Sequence, residues 1–359
     1  MSSDDPEVLN LKEQAKSAIK GGRFAEAEDL LAQARACDRE AEVVLEKSIG
    51  AQKAALEKRK LSRSASCVDQ AKLQRLQYRY EKAAEYWQEA AVALPEGSNK
   101  KRANCLVNAG YDLKHLGQYN DALPLYEQSL ELFRKVNYKQ GEGMVLNNMS
   151  QVYDAWGNYD TALTYLQQSL IIQQKINDNY GEITSLNNIS AIYWKQSDFS
   201  SALERLEAIL PIRRSIKDRA GEAMTLNNIS QIYKAQGKYE IALEYLNSAL
   251  LIHQDIGDKY GEVATLNNIS QVHKAQKDFL TALKYSEQSL ATAEEIGTKP
   301  EIATLSSNIG RIYEDQGELA KAELYFSSAV NLMGQLEYPK LEEWRKALKV
   351  VRAKLQEQR

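Results

Sequence analysis

Pairs of adjacent asparagines recur along the chain. Of all the side chains in the sequence, these carboxamides are the best suited to bind another molecule. Four such pairs lie 40 residues apart: Asn147-Asn148, Asn187-Asn188, Asn227-Asn228 and Asn267-Asn268. Asparagine is a mediocre helix former, because its amide competes for nearby backbone groups. A carboxamide offers both a donor and an acceptor, so it can pair with the N–H and C=O groups of a peptide. The pairs are therefore chemically suited to holding a polypeptide backbone with little regard for its side chains.

The first asparagine of each pair shares a helical face with other polar residues. Asn147, Gln151 and Asp154 stand at i, i+4 and i+7, which places them on one side of an α-helix, away from the apolar stripe. The same face supplies further candidate peptide-binding residues in the other repeats: Gln231, Gln271, Trp194, Lys234 and Lys274, and the position after Trp194 adds Lys195.

Two of these side-chain types predict more than backbone binding. An indole such as that of Trp194 commonly anchors a partner protein, although packing between repeats is an equally good interpretation. Lys195, Lys234 and Lys274 form a cationic stretch that would favour an acidic segment.

A structural role for the asparagines is the alternative. Asn148 precedes the apolar Val152 by four residues, so the face of the second asparagine is partly apolar. The second asparagines could then form hydrogen bonds across adjacent hairpins, and duplication would have copied them without selection for a ligand. The sequence leaves both interpretations open.

The elements that carry these residues are helical and repeat every 40 residues. Leu146, Met149, Ser150 and Tyr153 stand at i, i+3, i+4 and i+7, which is one stripe of a helix. Gly157 then supplies a turn before a second helix. The second helix carries one alanine in every copy: Ala122, Ala162, Ala202, Ala242, Ala282 and Ala322. A single hairpin cannot bury its apolar stripe, so neighbouring hairpins must stack.

The order of the residue types that recur in each unit resembles the tetratricopeptide repeat. It runs small residue, tyrosine, glycine, aromatic, alanine: Ser150, Tyr153, Gly157, Tyr159 and Ala162. The 40-residue period is longer than the usual period of about 34. It is similar to that of LGN/Pins scaffolds, kinesin light chains and bacterial multi-repeat adaptors and sensors. The resemblance implies an all-α, right-handed superhelical solenoid whose first helices line a concave groove. It also implies that asparagines in this groove grip a bound peptide.

The pattern predicts three regions. Six repeats occupy residues 98–337, degenerate repeat-like hairpins occupy 1–97, and a capping helix occupies 338–359. The segment from Asp38 to Ser62 is either one long helix or part of an expanded hairpin, and residues 96–99 are the expected flexible joint. Trp344 lies on the terminal helix, which serves as a cap or, alternatively, as a dimer contact.

Composition excludes several classes of protein. With 43% hydrophobic and 26% charged residues the chain is not intrinsically disordered. A net charge of −3 argues against a nucleic-acid partner. The sequence has no apolar run long enough for a membrane span, and its start, MSSDDPEVLN, lacks the features of a signal peptide. Three widely spaced cysteines support neither a disulfide framework nor a zinc site. We therefore expect a cytoplasmic protein without a membrane partner.

No catalytic constellation is visible in the sequence. His115, His253 and His273 show no metal-ligand spacing, and His273 occupies the tyrosine position of its repeat. We therefore predict a scaffold or adaptor that is not an enzyme, needs no cofactor and binds a linear or helical segment of another protein. The alternative is a regulatory sensor whose solenoid curvature controls a separate effector, either protease-like or signalling.

Overall fold

Seventeen α-helices form the secondary structure in a computed structural model that describes residues 6–46, 53–334 and 341–357. These residues contain no strand. The helices are α1 (Pro6–Lys20), α2 (Phe24–Glu46), α3 (Lys53–Leu76), α4 (Tyr80–Ala93), α5 (Asn99–His115), α6 (Tyr119–Lys135), α7 (Lys139–Ala155), α8 (Tyr159–Lys175), α9 (Asn179–Lys195), α10 (Phe199–Ser215), α11 (Arg219–Ala235), α12 (Tyr239–Asp255), α13 (Lys259–Ala275), α14 (Phe279–Ile296), α15 (Lys299–Asp315), α16 (Leu319–Met333) and α17 (Leu341–Glu357).

From α5 to α16 the helices keep the 40-residue period. The first helices of the hairpins are α5, α7, α9, α11, α13 and α15, and each has 17 residues. Gly157 ends a first helix at φ 74°, a conformation that glycine adopts without a Cβ penalty. At the other end, Asp218 accepts a hydrogen bond from the backbone N–H of Gly221 at 2.9 Å and caps α11. Turn and cap residues thus set the period.

The chain divides into two compact units, residues 1–192 and 193–359. In the first unit each helix from α1 to α7 packs against the next one along the chain. Because α2 packs against α3, the segment from Asp38 to Ser62 is not one continuous helix; residues 47–52 lie outside the described ones. The expected joint at 96–99 is bridged by Arg102, which donates hydrogen bonds to the carbonyls of Leu94 (2.8 Å) and Pro95 (3.0 Å).

In the second unit α17 packs against α16. Trp344 is buried among Ala303, Ala329 and Met333, so this indole covers the end of the last hairpin as a cap would. The predicted boundary at residue 337 lies outside the described residues, and the division of the chain at 97 and 337 stays a prediction.

Inside a hairpin the two helices approach at matched positions. Gly110 faces the ring of the buried Tyr126, and a Cβ on this glycine would lie 2.7 Å from Cε1 of the ring. The equivalent pair in the last hairpin but one, α13 and α14, is Ser270 and Ser286, whose hydroxyls form a hydrogen bond of 2.6 Å. The prediction that these small first-helix residues face the core is confirmed. The first-helix residue is a glycine where the residue opposite is a tyrosine, and a serine where the residue opposite is a serine, so the smaller residue faces the larger partner.

A Gly-Glu pair recurs near the start of four first helices, at 141–142, 181–182, 221–222 and 261–262, and its glycine has a similar packing reason. Gly141 faces Phe133 of the preceding second helix, and a Cβ would lie 2.8 Å from its ring. In the last repeat the glycine position holds Glu301, and the residue equivalent to Phe133 is Ala293. A side chain therefore replaces the glycine where the residue opposite is small.

We expect Gly141→Ala to lower the free energy of unfolding by about 1–2 kcal/mol. The overpacking penalty of roughly 1–3 kcal/mol exceeds the gain of about 1 kcal/mol in helix propensity, because the nearest atoms belong to the Phe133 and Tyr138 rings. Urea unfolding measures the difference. Adding Phe133→Leu should make the alanine substitution less destabilising than it is alone, whereas additive effects of the two changes would contradict the proposed clash.

Candidate functional site

All of the predicted binding residues lie on first helices. The first helices of neighbouring hairpins touch each other within each unit, α5 with α7 in the first unit and α11 with α13 in the second. Each unit therefore has a surface made of first helices, and the asparagine pairs lie on these two first-helix surfaces.

In the first unit, Asn147 is bonded into the interface between two hairpins. Its side chain is only 4% exposed. The amide nitrogen donates to the hydroxyls of Ser169 (2.7 Å) and Ser185 (2.9 Å), and its oxygen accepts from the amide of Asn188 (3.1 Å). These partners lie on α8 and α9, so one amide joins three helices.

The second unit repeats this arrangement. Asn227 donates to the Thr265 hydroxyl at 2.8 Å and accepts from Asn268 at 3.2 Å. Asn267 in turn accepts from Asn308 at 3.0 Å. The second asparagine of one hairpin thus donates to the first asparagine of the preceding hairpin. This is the bond across adjacent hairpins that the alternative interpretation predicted, and it uses both members of the pair.

Asn148 is available for other contacts. The acceptor position in the preceding hairpin holds Val107, and Asn148 makes no hydrogen bond to any described residue. It lines a cavity of about 450 Å³ together with Gln151, whose amide oxygen accepts a hydrogen bond from Lys114. Among the other asparagines, Asn187 is half-buried and Asn228 is exposed. The role of these residues in peptide binding stays a prediction.

The remaining predicted residues lie in the second unit and differ in exposure. Trp194 packs edge-on against Phe199, with ring centroids 5.5 Å apart, and still keeps 37% of its surface exposed. The side chains of Gln231 and Gln271 are half-buried.

The three lysines do not present equal charges. Lys195 is exposed. Lys274 forms an ion pair of 2.9 Å with Asp315, and burial lowers the pKa of Lys234. Because one charge is already paired and another is partly desolvated, attraction of an acidic segment here is weaker than three free lysines would give.

The sequence reasoning missed a set of exposed apolar side chains at the start of the first helices. Met144 and Tyr180 line the cavity beside Asn148 in the first unit, and Tyr180 is 66% exposed. Met224 and Tyr260 are their counterparts, 80 residues later, in the second unit. Tyr260 lines a cavity of about 420 Å³ that also includes Asn267. The signal available in the sequence was that these apolar residues recur at twice the repeat period, at positions outside the core stripe.

The second-asparagine series is also longer than was recognised. Asn108 and Asn308 occupy the same position, so all six repeats carry it. A search for the doubled motif does not find them, because Val107 and Ser307 replace the first asparagine of the pair. Comparison of all six repeats at this one position would have found them.

His273 behaves as a substitute for tyrosine. Its ring stacks on Tyr285 at 5.7 Å and 3° between planes, just as Tyr233 stacks on Tyr245 at 5.5 Å. The interpretation of His273 as a packing residue is confirmed. Across the described residues, no three His, Cys, Asp or Glu side chains gather in a way that could hold a metal ion. Nor is any helix of this part of the chain both long and apolar enough to cross a membrane.

The sequence matches the family model of the tetratricopeptide repeat in five overlapping segments: residues 101–175, 157–215, 181–255, 221–295 and 261–335. No curated protein matches the sequence.

Several solved structures share the fold. Aspartyl phosphate phosphatase F from Bacillus subtilis is 13% identical, with a TM-score of 0.61 over 94% of this chain and 96% of that chain. A signal-transduction ATPase with a tetratricopeptide repeat sensor, from Pyrococcus horikoshii, is 17% identical, with a TM-score of 0.57 over 90% of this chain and 49% of that chain. A tetratricopeptide repeat protein from Parabacteroides merdae is 19% identical, with a TM-score of 0.54 over 80% of this chain and 98% of that chain.

At these identities the structures establish similarity of fold alone. They agree with the helix content, and the predicted all-α, superhelical repeat fold is confirmed. Because the family model covers more than half of the sequence, the chain belongs to the tetratricopeptide repeat family.

Proposed function

We propose that this chain is a non-enzymatic adaptor that binds a segment of another protein on its first-helix surfaces. The observation that carries the proposal is the cavity beside Asn148, where the exposed apolar Met144 and Tyr180 lie next to a carboxamide that makes no hydrogen bond within the described part of the chain. Exposed apolar side chains that cluster in a depression are typical of protein-binding sites. The carboxamide would bond the backbone of the segment while the apolar side chains hold its side chains.

The asparagines divide into two roles in this proposal. Asn147 and Asn227, whose amides are buried and bonded, hold neighbouring hairpins in register. Asn148 and Asn228 contact the bound segment. The other proposed contacts are Gln151, Gln231, Gln271 and Trp194. Asn187, Asn188, Asn267 and Asn268 are half-buried, and we assign them to the edge of the surface.

The lysines have a smaller part in the proposal. Lys195 is the most accessible of the three and would contact a carboxylate of the segment, whereas Lys274 would first have to leave Asp315.

The test is capture of partner proteins from a lysate of the source organism by the full chain, with quantification by mass spectrometry. We expect Met144→Glu/Tyr180→Glu to reduce capture of the specific partners at least tenfold, because charge and lost apolar area both oppose docking. A matched control is Leu251→Glu/Leu280→Glu, which changes two exposed leucines of second helices, 66% and 81% exposed. Equal capture by both variants and the wild type would contradict the proposal.

A further inference from the structure

The first unit has a second groove, between α3 and the start of α5, which shares Asn104 with the cavity beside Asn148. We propose that it binds a protein segment in which apolar side chains are flanked by carboxylates. The groove encloses about 590 Å³ and is lined by α3, the end of α4 and the start of α5. The proposal rests on the proposed function in that its ligand is again a protein segment, but the lining residues of α3 lie outside the matched repeats.

The α3 wall of the groove is an uncovered apolar stripe. Leu61, Ala65 and Val68 stand at i, i+4 and i+7 and all line the groove. Leu61 and Ala65 are exposed and Val68 is half-buried, although α3 already packs against both α2 and α4. Leu94 and Cys105 close the base of the groove. An apolar floor of this kind is suited to the side chains of a partner segment.

Lysines surround this stripe. Lys58 and Lys72 flank it along α3, and Lys101 lies on the α5 wall. Asp69 is the one carboxylate in the lining, and it lies 3.8 Å from Lys72. Lys58 and Lys101 form no ion pair with any described residue. The groove therefore presents an excess of two positive charges (three lysines against one aspartate), which is complementary to carboxylates at both ends of a bound segment.

Helix geometry fixes the length of that segment. Lys58 and Lys72 are 14 residues apart on α3, which corresponds to about 21 Å at roughly 1.5 Å per residue. A helical segment of about 14 residues, or an extended one of about six, would place acidic residues near both lysines with apolar residues between them.

This groove also fits an acidic ligand better than the cationic stretch predicted from the sequence. Lys274 is paired with Asp315 and Lys234 is partly desolvated, whereas Lys58 and Lys101 form no ion pair with any described residue.

The experiment selects peptides from a displayed library of random 16-residue sequences against the full chain. Recovered peptides are then measured by fluorescence anisotropy. We expect them to carry Asp or Glu on both sides of apolar residues. Lys58→Glu/Lys72→Glu/Lys101→Glu should weaken their binding at least tenfold, and so should Ala65→Trp, which fills the groove without changing its charge. The matched control is Lys82→Glu/Lys135→Glu/Lys175→Glu, three exposed lysines on second helices, which should leave the affinity unchanged.

Three outcomes would overturn the proposal. One is a set of recovered peptides without acidic enrichment. Another is binding that survives both groove variants but is lost in Met144→Glu/Tyr180→Glu, which would leave the proposed function intact and place these peptides in the cavity beside Asn148. The third is binding of single-stranded oligonucleotide with higher affinity than the peptides, lost in the groove variant, which would assign the groove to nucleic acid. Thermal unfolding of each variant separates lost binding from lost fold.

Discussion

Replacement of Arg75 by methionine is expected to lower the free energy of unfolding by about 3 kcal/mol at neutral pH, because it leaves a buried carboxylate unpaired. Asp112 on α5 is fully buried. Arg75 on α3 holds it with two parallel hydrogen bonds, Nε to Oδ1 at 2.7 Å and Nη2 to Oδ2 at 2.9 Å. Such a fork-shaped pair is strong, and the loss of one partner leaves the full desolvation penalty of the other.

The repeats indicate which second substitution should restore stability. The residues equivalent to Asp112 in the later repeats are all aliphatic: Val152, Ile192, Ile232, Val272 and Ile312. The double variant Arg75→Met/Asp112→Val places apolar side chains where the regular repeats already have them. Since replacement of a buried ion pair by apolar residues is often neutral, we expect the double variant to recover most of the loss.

The loss of unfolding free energy caused by Arg75→Met should also depend on pH. Burial raises the pKa of Asp112 in the native state, and Arg75 partly counteracts this rise. Without Arg75 the native pKa rises further above its unfolded value. A group of this kind stabilises the fold at low pH and loses that contribution as pH rises through the native pKa. The difference from wild type should therefore be smaller at pH 5 than at pH 8.

Urea unfolding followed by circular dichroism at both pH values measures these effects. Lys82→Met is the control, because it removes an exposed cation from a helix of the same unit. A double variant no more stable than Arg75→Met would show that packing around Asp112, rather than its charge, explains the loss.

The sequence predicted the fold and the repeat register because each hairpin repeats the same buried positions. The sequence could also have identified Asp112 as an exception, since the equivalent position is aliphatic in all five later repeats. It could not have found Arg75, which lies in the irregular N-terminal part where no period assigns positions. The apolar stripe of α3 was missed for the same reason, because Leu61, Ala65 and Val68 form a face only once the bounds of α3 are known.

The sequence predicted the candidate binding surface only in part, and for a different reason. Adjacent residues of a helix point about 100° apart, so the two asparagines of a pair cannot face the same way. Which of them faces the neighbouring hairpin depends on how the hairpins stack, and the periodicity within one helix contains no information on stacking. The sequence therefore identified the pair and its two possible roles but did not show that Asn147 is the buried member.

Asn147→Ala and Asn148→Ala should separate these two roles within one helix turn. Asn147→Ala removes an amide that bonds Ser169, Ser185 and Asn188, and we expect a loss of about 2 kcal/mol because their polar groups stay buried without it. Asn148 has no partner among the described residues and is half-buried, so Asn148→Ala should change the free energy of unfolding by less than about 0.5 kcal/mol.

Binding should respond in the opposite order. Affinity for a partner captured by the wild type, measured well below the unfolding midpoint of each variant, should fall at least fivefold in Asn148→Ala and remain within twofold in Asn147→Ala. The physical reason is that a ligand can reach only the amide that the stacked hairpins leave free, whereas the bonded amide already has its donors and acceptors satisfied. Equal losses of affinity in the two variants would show that the hairpins separate on binding and release Asn147. Unchanged affinity in both would remove the asparagine pair from the proposed binding surface and leave Met144 and Tyr180 to carry it.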